Sequence, residues 1–221
     1  MKTISRSLGW LIFMILSTGV AGYAFYFFSG VQFGWIDETT TGALAQLRDR
    51  PIVFLAHAGG GGLALLLAPW QFAGPVRRRF TKLHRVMGRL YVTAILIGGT
   101  AGLLMAYQTD AGQIAQLGFG LVAVAWLTTT ALAFYHGYRR NIPVHRRWMI
   151  RSTALTLAAV TLRIYLGVTF GYLIPNGYVD FLTAYIAISW LCWVPNILVA
   201  EVWIRRELAK SALPGVLQAA E

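Results

Sequence analysis

Residues 8–28 read LGWLIFMILSTGVAGYAFYFF, an apolar run without a single charged side chain. A helix that crosses the hydrocarbon core of a bilayer needs about 20 such residues. The apolar core of a signal peptide spans only about 7 to 15 residues and ends at a small-residue cleavage site, whereas this run continues into aromatic residues. The stretch therefore predicts a retained transmembrane helix.

Five further apolar runs follow, at residues 51–72, 86–107, 113–135, 148–173 and 179–204. The 221-residue chain is 57% hydrophobic and only 12% charged, against about 25% charged residues in an ordinary soluble domain. This composition excludes a soluble globular protein, and six spans leave no room for a separate catalytic domain. Because the connections are short, we expect an all-α integral membrane protein, a single domain in which six transmembrane helices form an antiparallel bundle.

The cations indicate how this bundle is oriented. If both termini lie on one side, 16 of the 19 lysines and arginines fall on that side. The opposite side receives Arg48 and Arg50 together with the acidic residues Asp37, Glu38, Asp49, Asp110 and Asp180. Lysine and arginine near span ends are retained in the cytoplasm, so we expect a cytoplasmic N-terminus and C-terminus facing anionic lipid headgroups. The net charge of +11 is then a topology signal, and we expect no nucleic-acid partner.

Histidine is the main candidate for cofactor chemistry. The single cysteine, Cys192, excludes a disulfide framework, paired-cysteine zinc sites and a thiolate-held iron–sulfur cluster. His84, His136 and His145 all fall near the predicted cytoplasmic interface, and two histidines on neighbouring helices supply both axial ligands of a b-type haem. Our first ligand pair is His84 with His145. No metal other than haem iron is expected.

A haem site also needs cationic side chains that bind the propionates, and arginines lie beside these histidines in the sequence. Arg85 and Arg151, and also Arg89 and Arg146, are placed to hold the propionates. Histidine and arginine are also frequent at membrane interfaces, so a purely interfacial role stays open for all of them. Glu201 lies one helical turn from Arg205 and predicts an i,i+4 ion pair.

Two polar residues lie inside the spans themselves. Arg163 lies about 15 residues into the fifth span, where a guanidinium costs about 2.5–3.5 kcal/mol. Its helical face carries small or hydroxylated residues, so we expect it to point into the bundle. His57 lies about two turns into the second span on a face rich in glycine and alanine. We expect the two side chains at comparable depth, lining a pocket for a quinone or a small anion; packing roles with bonds to backbone carbonyls are the alternative.

Smaller signals concern packing. Gly98 with Gly102, and Gly167 with Gly171, have the small-xxx-small spacing that lets helices approach closely in lipid. Each pair predicts a packed face. Pro195, followed by Asn196, predicts a kink in the sixth span.

Three segments resemble a bacterial family of predicted membrane proteins, domain-of-unknown-function family 2306. They are HAGGGGLALLLAPWQF at 57–72, KLHRVMGRLYV at 82–92 and HRRWMIRSTALTLAAVTLRI at 145–164. The resemblance implies a multi-pass protein of the bacterial inner (plasma) membrane whose activity is unassigned. It singles out a set of polar residues and one glycine: His57, Gln71, His84, Arg85, Gly88, His145, Arg151 and Arg163. Of these, we expect Gln71 to join His57 and Arg163 in the substrate pocket. His136 stands outside this pattern.

The chain is also loosely similar to six-helix b-type cytochromes of the b561 kind. That similarity implies haems held between histidine pairs at both faces of the membrane. Here His57 is the only histidine predicted in the outer half, so at most one such haem, at the inner face, has two ligands.

Three functions follow from these features. The first is a membrane redox module with one haem b at the inner face and a quinone or small-molecule pocket near His57 and Arg163. The second is a transporter or binding protein for a small anion. The third is a non-catalytic assembly partner that uses its glycine faces to form a homo-oligomer or to bind another membrane protein. The sequence assigns no enzymatic reaction.

Overall fold

A computed structural model describes residues 2–32 and 50–212. Its regular elements are all helical and occur in this order: α1 (Lys2–Gln32), α2 (Pro51–Phe72), α3 (Gly74–Arg79), α4 (Thr81–Tyr107), α5 (Gln113–Tyr138), α6 (Ile142–Thr156), α7 (Ala158–Val168), a π-helical turn (Thr169–Leu173), α8 (Phe181–Leu191) and α9 (Val194–Ala212). Asp37, Glu38 and Arg48, predicted on the side opposite the termini, lie outside the described residues.

Six stretches of these helices are long and apolar enough to cross a membrane: Leu8–Tyr26, Pro51–Phe72, Thr81–Tyr107, Gln113–Tyr138, Ile142–Leu173 and Phe181–Ala209. The prediction of an all-α membrane protein with six spans is confirmed. Two spans begin earlier than their apolar runs, because long cationic side chains keep their charge in the headgroup layer while the backbone stays helical. The start at Ile142 is also fixed locally, since Pro143 occupies the first turn and the Asn141 side chain accepts a bond from the Val144 N–H.

The fifth and sixth spans are each broken near their middle. α6 ends at Thr156 and α7 begins at Ala158, whereas α8 ends at Leu191 and α9 begins at Val194. Pro195 lacks an N–H and cannot continue the ladder, so the predicted kink in the sixth span is confirmed. The Asn196 amide contacts polar atoms at both breaks: its Nδ2 donates to the Cys192 carbonyl (3.2 Å) and the Ala154 carbonyl (3.3 Å), and its Oδ1 accepts from Thr161 Oγ1 (3.3 Å).

α2 and α4 form the tightest helix pair. A Cβ built on Gly60 would lie 2.8 Å from the Gly98 Cα, and a Cβ on Gly102 would lie 2.7 Å from His57 Nδ1. The packed face predicted at Gly98 and Gly102 is therefore confirmed. The second predicted face meets no other helix among the described residues, because a Cβ built on Gly167 or Gly171 would have no neighbour within 4 Å apart from nearby backbone of its own helix.

One end of the bundle collects the cationic segments. Trp10 Nε1 donates to the Pro69 carbonyl (3.3 Å), so the start of α1 lies beside the end of α2. Arg146 on α6 bonds to Glu207 on α9, so the start of α6 lies beside the end of the last span. We call this end, where α4 and α6 begin and α2, α5 and α9 end, the basic end. Its cytoplasmic location stays a prediction.

Candidate functional site

His145, in the first turn and a half of α6, is held in one orientation by the end of α5. Its Nδ1 lies 2.7 Å from the Ala133 carbonyl. A carbonyl only accepts hydrogen bonds, so Nδ1 donates, which in the neutral ring leaves the lone pair on Nε2. Gly137 makes the approach possible, because a Cβ there would lie 2.9 Å from the same nitrogen. The free Nε2 is the atom that a histidine uses to bind a metal.

His84 lies in the first turn of α4 at the same end of the bundle. The ring is within range of electrostatic interaction with the His145 ring and with Arg77 and Arg85. Its Nδ1 is buried and has no hydrogen-bond partner among the described residues. Both predicted ligands thus lie at the basic end on different helices, and His84 has a buried nitrogen without a partner in the described part of the chain.

Gln71 lies against the start of α4, far from His57. Gly88, which lies one helical turn after His84, faces Gln71, because a Cβ on Gly88 would lie 3.4 Å from Gln71 Oε1. The distance along α2 from His57 to Gln71 is about 20 Å at 1.5 Å per residue, so the two cannot line one small pocket. This corrects the grouping of Gln71 with His57 and Arg163. Gln71 is only 5% exposed, and in the described part of the chain its Nε2 has no partner.

His136, the third histidine of this layer, packs against an aromatic neighbour. Its ring meets the Tyr135 ring edge-on, with centroids 5.2 Å apart and planes at 75°. It lies in the last turn of α5, one turn after Ala133, whose carbonyl holds His145.

The arginines of the basic end differ in how they are engaged. Both Nε and Nη2 of Arg151 bond to the Glu201 carboxylate, and its Cζ lies 4.5 Å from the centroid of the Trp148 ring. Arg146 makes a similar two-point pair with Glu207, at 2.7 and 3.0 Å. The prediction of a Glu201–Arg205 pair missed this partner, because a bidentate bond between facing helices is stronger than a flexible contact along one helix. Arg85 is exposed.

A cluster of buried hydroxyls occupies the centre of the bundle, where α4, α5 and α6 meet. The Tyr91 hydroxyl lies 3.0 Å from Ser152 Oγ and 2.8 Å from Thr156 Oγ1. Thr130 Oγ1 lies 2.7 Å from Ser152 Oγ, and Trp126 Nε1 donates to Thr156 Oγ1 at 2.9 Å. We call these five residues the hydroxyl cluster. It satisfies its own donors and acceptors inside the membrane.

Sequence reasoning missed the hydroxyl cluster as a unit. The signal was available in two stripes: His84, Gly88 and Tyr91 recur at helical spacing on α4, and His145, Ser152 and Thr156 do so on α6. Each stripe runs from a histidine at the basic end to the centre of the bundle.

The other predicted pair, His57 and Arg163, lies farther along the bundle. His57 Nδ1 lies 2.8 Å from the Gly98 carbonyl, so its Nε2 keeps the lone pair. Arg163 Nη1 donates to the Ala159 carbonyl at 3.0 Å, whereas its buried Nε has no partner within the described residues. His57 is within range of electrostatic interaction with Arg163. A backbone carbonyl therefore bonds to one nitrogen of each side chain, and each side chain keeps a further nitrogen that could bind a ligand.

Metal binding by side chains alone finds no support in the part of the chain that the structure describes. No three histidine, cysteine, aspartate or glutamate side chains there converge on a point where an ion would fit.

A six-span helical bundle with partly buried histidines and arginines and with buried hydroxyls defines a polytopic membrane protein. The sequence matches the family model DUF2306, described as a predicted membrane protein, over residues 54–204. The chain therefore belongs to this family, and all three segments that carry the resemblance fall within the match. No curated protein and no solved structure matches the chain.

Proposed function

We propose that this protein is a membrane redox module that holds one b-type haem at the basic end, with His84 and His145 as axial ligands. The observation that carries the proposal is the placement of these two imidazoles on different helices, α4 and α6, within range of electrostatic interaction. Bound haem supplies one-electron transfer.

The orientation of His145 supports the same assignment. A histidine that ligates a metal commonly donates its other ring N–H to a backbone carbonyl or a carboxylate, which fixes the tautomer. The bond from His145 Nδ1 to the Ala133 carbonyl has this form.

Unused polar atoms nearby support a bound group with acceptor oxygens. A buried donor or acceptor without a partner costs about 1–3 kcal/mol, and at the basic end His84 Nδ1 and Gln71 Nε2 have none among the described residues. Propionate carboxylates offer acceptors to an amide donor and to a guanidinium. We assign them to Gln71 and Arg85, because Arg151 is already bonded to Glu201.

The second part of the proposal is a quinone or small-molecule pocket near His57 and Arg163. A carbonyl oxygen accepts from a guanidinium N–H, and a hydroxyl donates to an imidazole nitrogen, so the two side chains suit both redox states of a quinone. Arg163 Nε, buried without a partner in the described structure, supports this role.

The test is the reduced-minus-oxidised absorption spectrum of the purified protein, expressed with ample haem. We expect one haem per chain by pyridine haemochrome assay, and its loss in both His84→Ala and His145→Ala. His136→Ala is the matched control, because it removes a histidine from the same layer and should keep the haem. The wild-type protein without haem bands, or three variants with equal haem content, would contradict the haem assignment.

A second candidate, binding or transport of a small anion, is favoured by the Arg163 guanidinium, which forms no salt bridge with a carboxylate among the described residues. Thermal unfolding of the wild type and of Arg163→Gln, titrated with carboxylate anions and with a short-chain quinone, separates the two. Stabilisation of the wild type by the quinone alone supports the redox pocket. Stabilisation by an anion alone supports the second candidate instead.

A further inference from the structure

A groove between α6 and α9 at the basic end is distinct from the histidine site. Its volume is about 470 Å³, and its lining includes Arg147, Arg151 and Arg205 together with Glu201. The apolar part of its wall consists of Val144, Trp148, Ile204 and Leu208. Ile204 is only 3% exposed, so the floor of the groove belongs to the packed interior of the bundle.

The charge in this groove is positive and partly fixed in place. Glu201 is neutralised by its two-point bond to Arg151, whose guanidinium also rests on the Trp148 ring. Arg147 Nε donates to the Pro143 carbonyl at 3.3 Å, which holds that side chain along the first turn of α6. The terminal nitrogens of Arg147, and the exposed Arg205, supply the excess positive charge.

The position of the groove relative to the membrane indicates which kind of anion fits it. It lies where the fifth span begins and the sixth span ends, the depth at which lipid headgroups meet acyl chains. Guanidinium groups match the geometry of a phosphate, and basic pockets between transmembrane helices bind anionic lipid headgroups. A free phosphate would contact only the arginines. A phospholipid would contact the arginines with its headgroup and the apolar wall with its acyl chains.

We propose that this groove binds one anionic phospholipid, with its phosphodiester on Arg147 and Arg205 and its acyl chains along Val144 and Trp148. The assignment is independent of the haem proposal, because none of these side chains is a proposed ligand or propionate partner.

The test is native mass spectrometry of the full chain in a mild zwitterionic detergent, titrated with phosphatidylglycerol, with phosphatidylcholine and with inorganic phosphate. We expect one tightly retained phosphatidylglycerol. The double variant Arg147→Gln/Arg205→Gln should bind it about 25-fold more weakly, since each arginine near the membrane surface contributes roughly fivefold.

The matched control is Arg139→Gln/Arg140→Gln, which removes the same charge from exposed positions after α5, outside the groove. We expect this variant to bind phosphatidylglycerol like the wild type, and circular dichroism confirms that both variants are folded. Equal weakening in the two double variants would show nonspecific surface attraction and overturn the proposal. Equal affinity for phosphatidylcholine, or tighter binding of inorganic phosphate, would overturn it as well.

Discussion

Tyr91 illustrates how a single side chain organises the centre of this bundle. It is fully buried, and its hydroxyl contacts Ser152 and Thr156 of a neighbouring span. The partners are themselves bonded, Ser152 to Thr130 and Thr156 to Trp126. Losing the Tyr91 hydroxyl therefore removes two contacts without leaving either partner unpaired.

We expect Tyr91→Phe to lower the free energy of unfolding by about 1 kcal/mol, because interhelical hydrogen bonds in membranes contribute about 0.6 kcal/mol on average and about 1.7 at most. The ring and its packing remain. Equilibrium unfolding in mixed micelles of dodecyl sulfate and a mild detergent measures the change. Tyr107→Phe is the control, since Tyr107 lies at the end of the same helix and is 80% exposed; an equal loss in both variants would contradict the role of the cluster.

Asp180 shows a residue-scale effect outside the spans. Its carboxylate caps α8 and accepts from the Thr183 N–H at 3.0 Å. The side chain of Thr183, and then its backbone N–H, hold the pKa of Asp180 below its usual value. Because the folded-state pKa is lowered, the cap stabilises α8 fully above the ordinary carboxyl pKa of about 3.9 and is lost as the pH falls through the folded-state value.

The corresponding measurement is a carboxyl-carbon NMR titration of Asp180. We expect a pKa below the ordinary value in the wild type and a rise toward it in Thr183→Val, which removes the hydroxyl. An unchanged titration in Thr183→Val would contradict the assigned cause.

At the scale of elements, the glycines separate packed faces from open ones. A Cβ on Gly98 would lie 3.1 Å from the Gly61 nitrogen and 3.2 Å from the Gly60 Cα, both backbone atoms of α2. A backbone cannot rotate away as a side chain does, so α2 and α4 would have to separate. Gly167 offers the opposite case, since its Cβ would meet no described atom within 4 Å apart from nearby backbone of its own helix.

We therefore expect Gly98→Ala to destabilise the bundle by about 1–3 kcal/mol, the usual cost of overpacking. Gly167→Ala should be neutral or slightly stabilising within the monomer, because alanine favours helix over glycine by about 1 kcal/mol. The same micelle unfolding experiment compares the two substitutions, and a larger loss at Gly167 than at Gly98 would contradict the packing described here.

The sequence predicts the elements well and their mutual rotation poorly. Apolar run length sets the number of spans, and the glycine spacing at Gly98 identifies a real contact. The partner of Glu201 and the hydroxyl cluster depend on how α6 is turned toward α4, α5 and α9, which a single helical wheel does not show. The grouping of Gln71 with His57 fails for a related reason. The family resemblance identifies Gln71 as a candidate but does not say how deep in the membrane it lies.

At the scale of the whole molecule, the orientation of the bundle across the membrane can be measured only in a membrane. Tyr107 and Tyr138 lie at opposite ends of the bundle and are both 80% exposed, while the native Cys192 is only 2% exposed. Single cysteines at these tyrosines change no formal charge, so they leave the arginine and lysine distribution intact.

We expect a membrane-impermeant maleimide to label Tyr107→Cys in intact cells, and to label Tyr138→Cys only after the membrane is permeabilised. The unsubstituted protein, with Cys192 alone, gives the background. The reverse pattern would place the basic end outside the cell and contradict the predicted topology.

The amide of Asn196 has a consequence for motion of the bundle as a whole. It bonds to the carbonyl before the break in the fifth span, to Thr161 just after that break, and to the carbonyl at the break in the sixth span. The two interrupted helices are thereby coupled, and a change of bend in one must pull on the other. Arg163 lies just beyond the break in the fifth span, so its position depends on this shared contact.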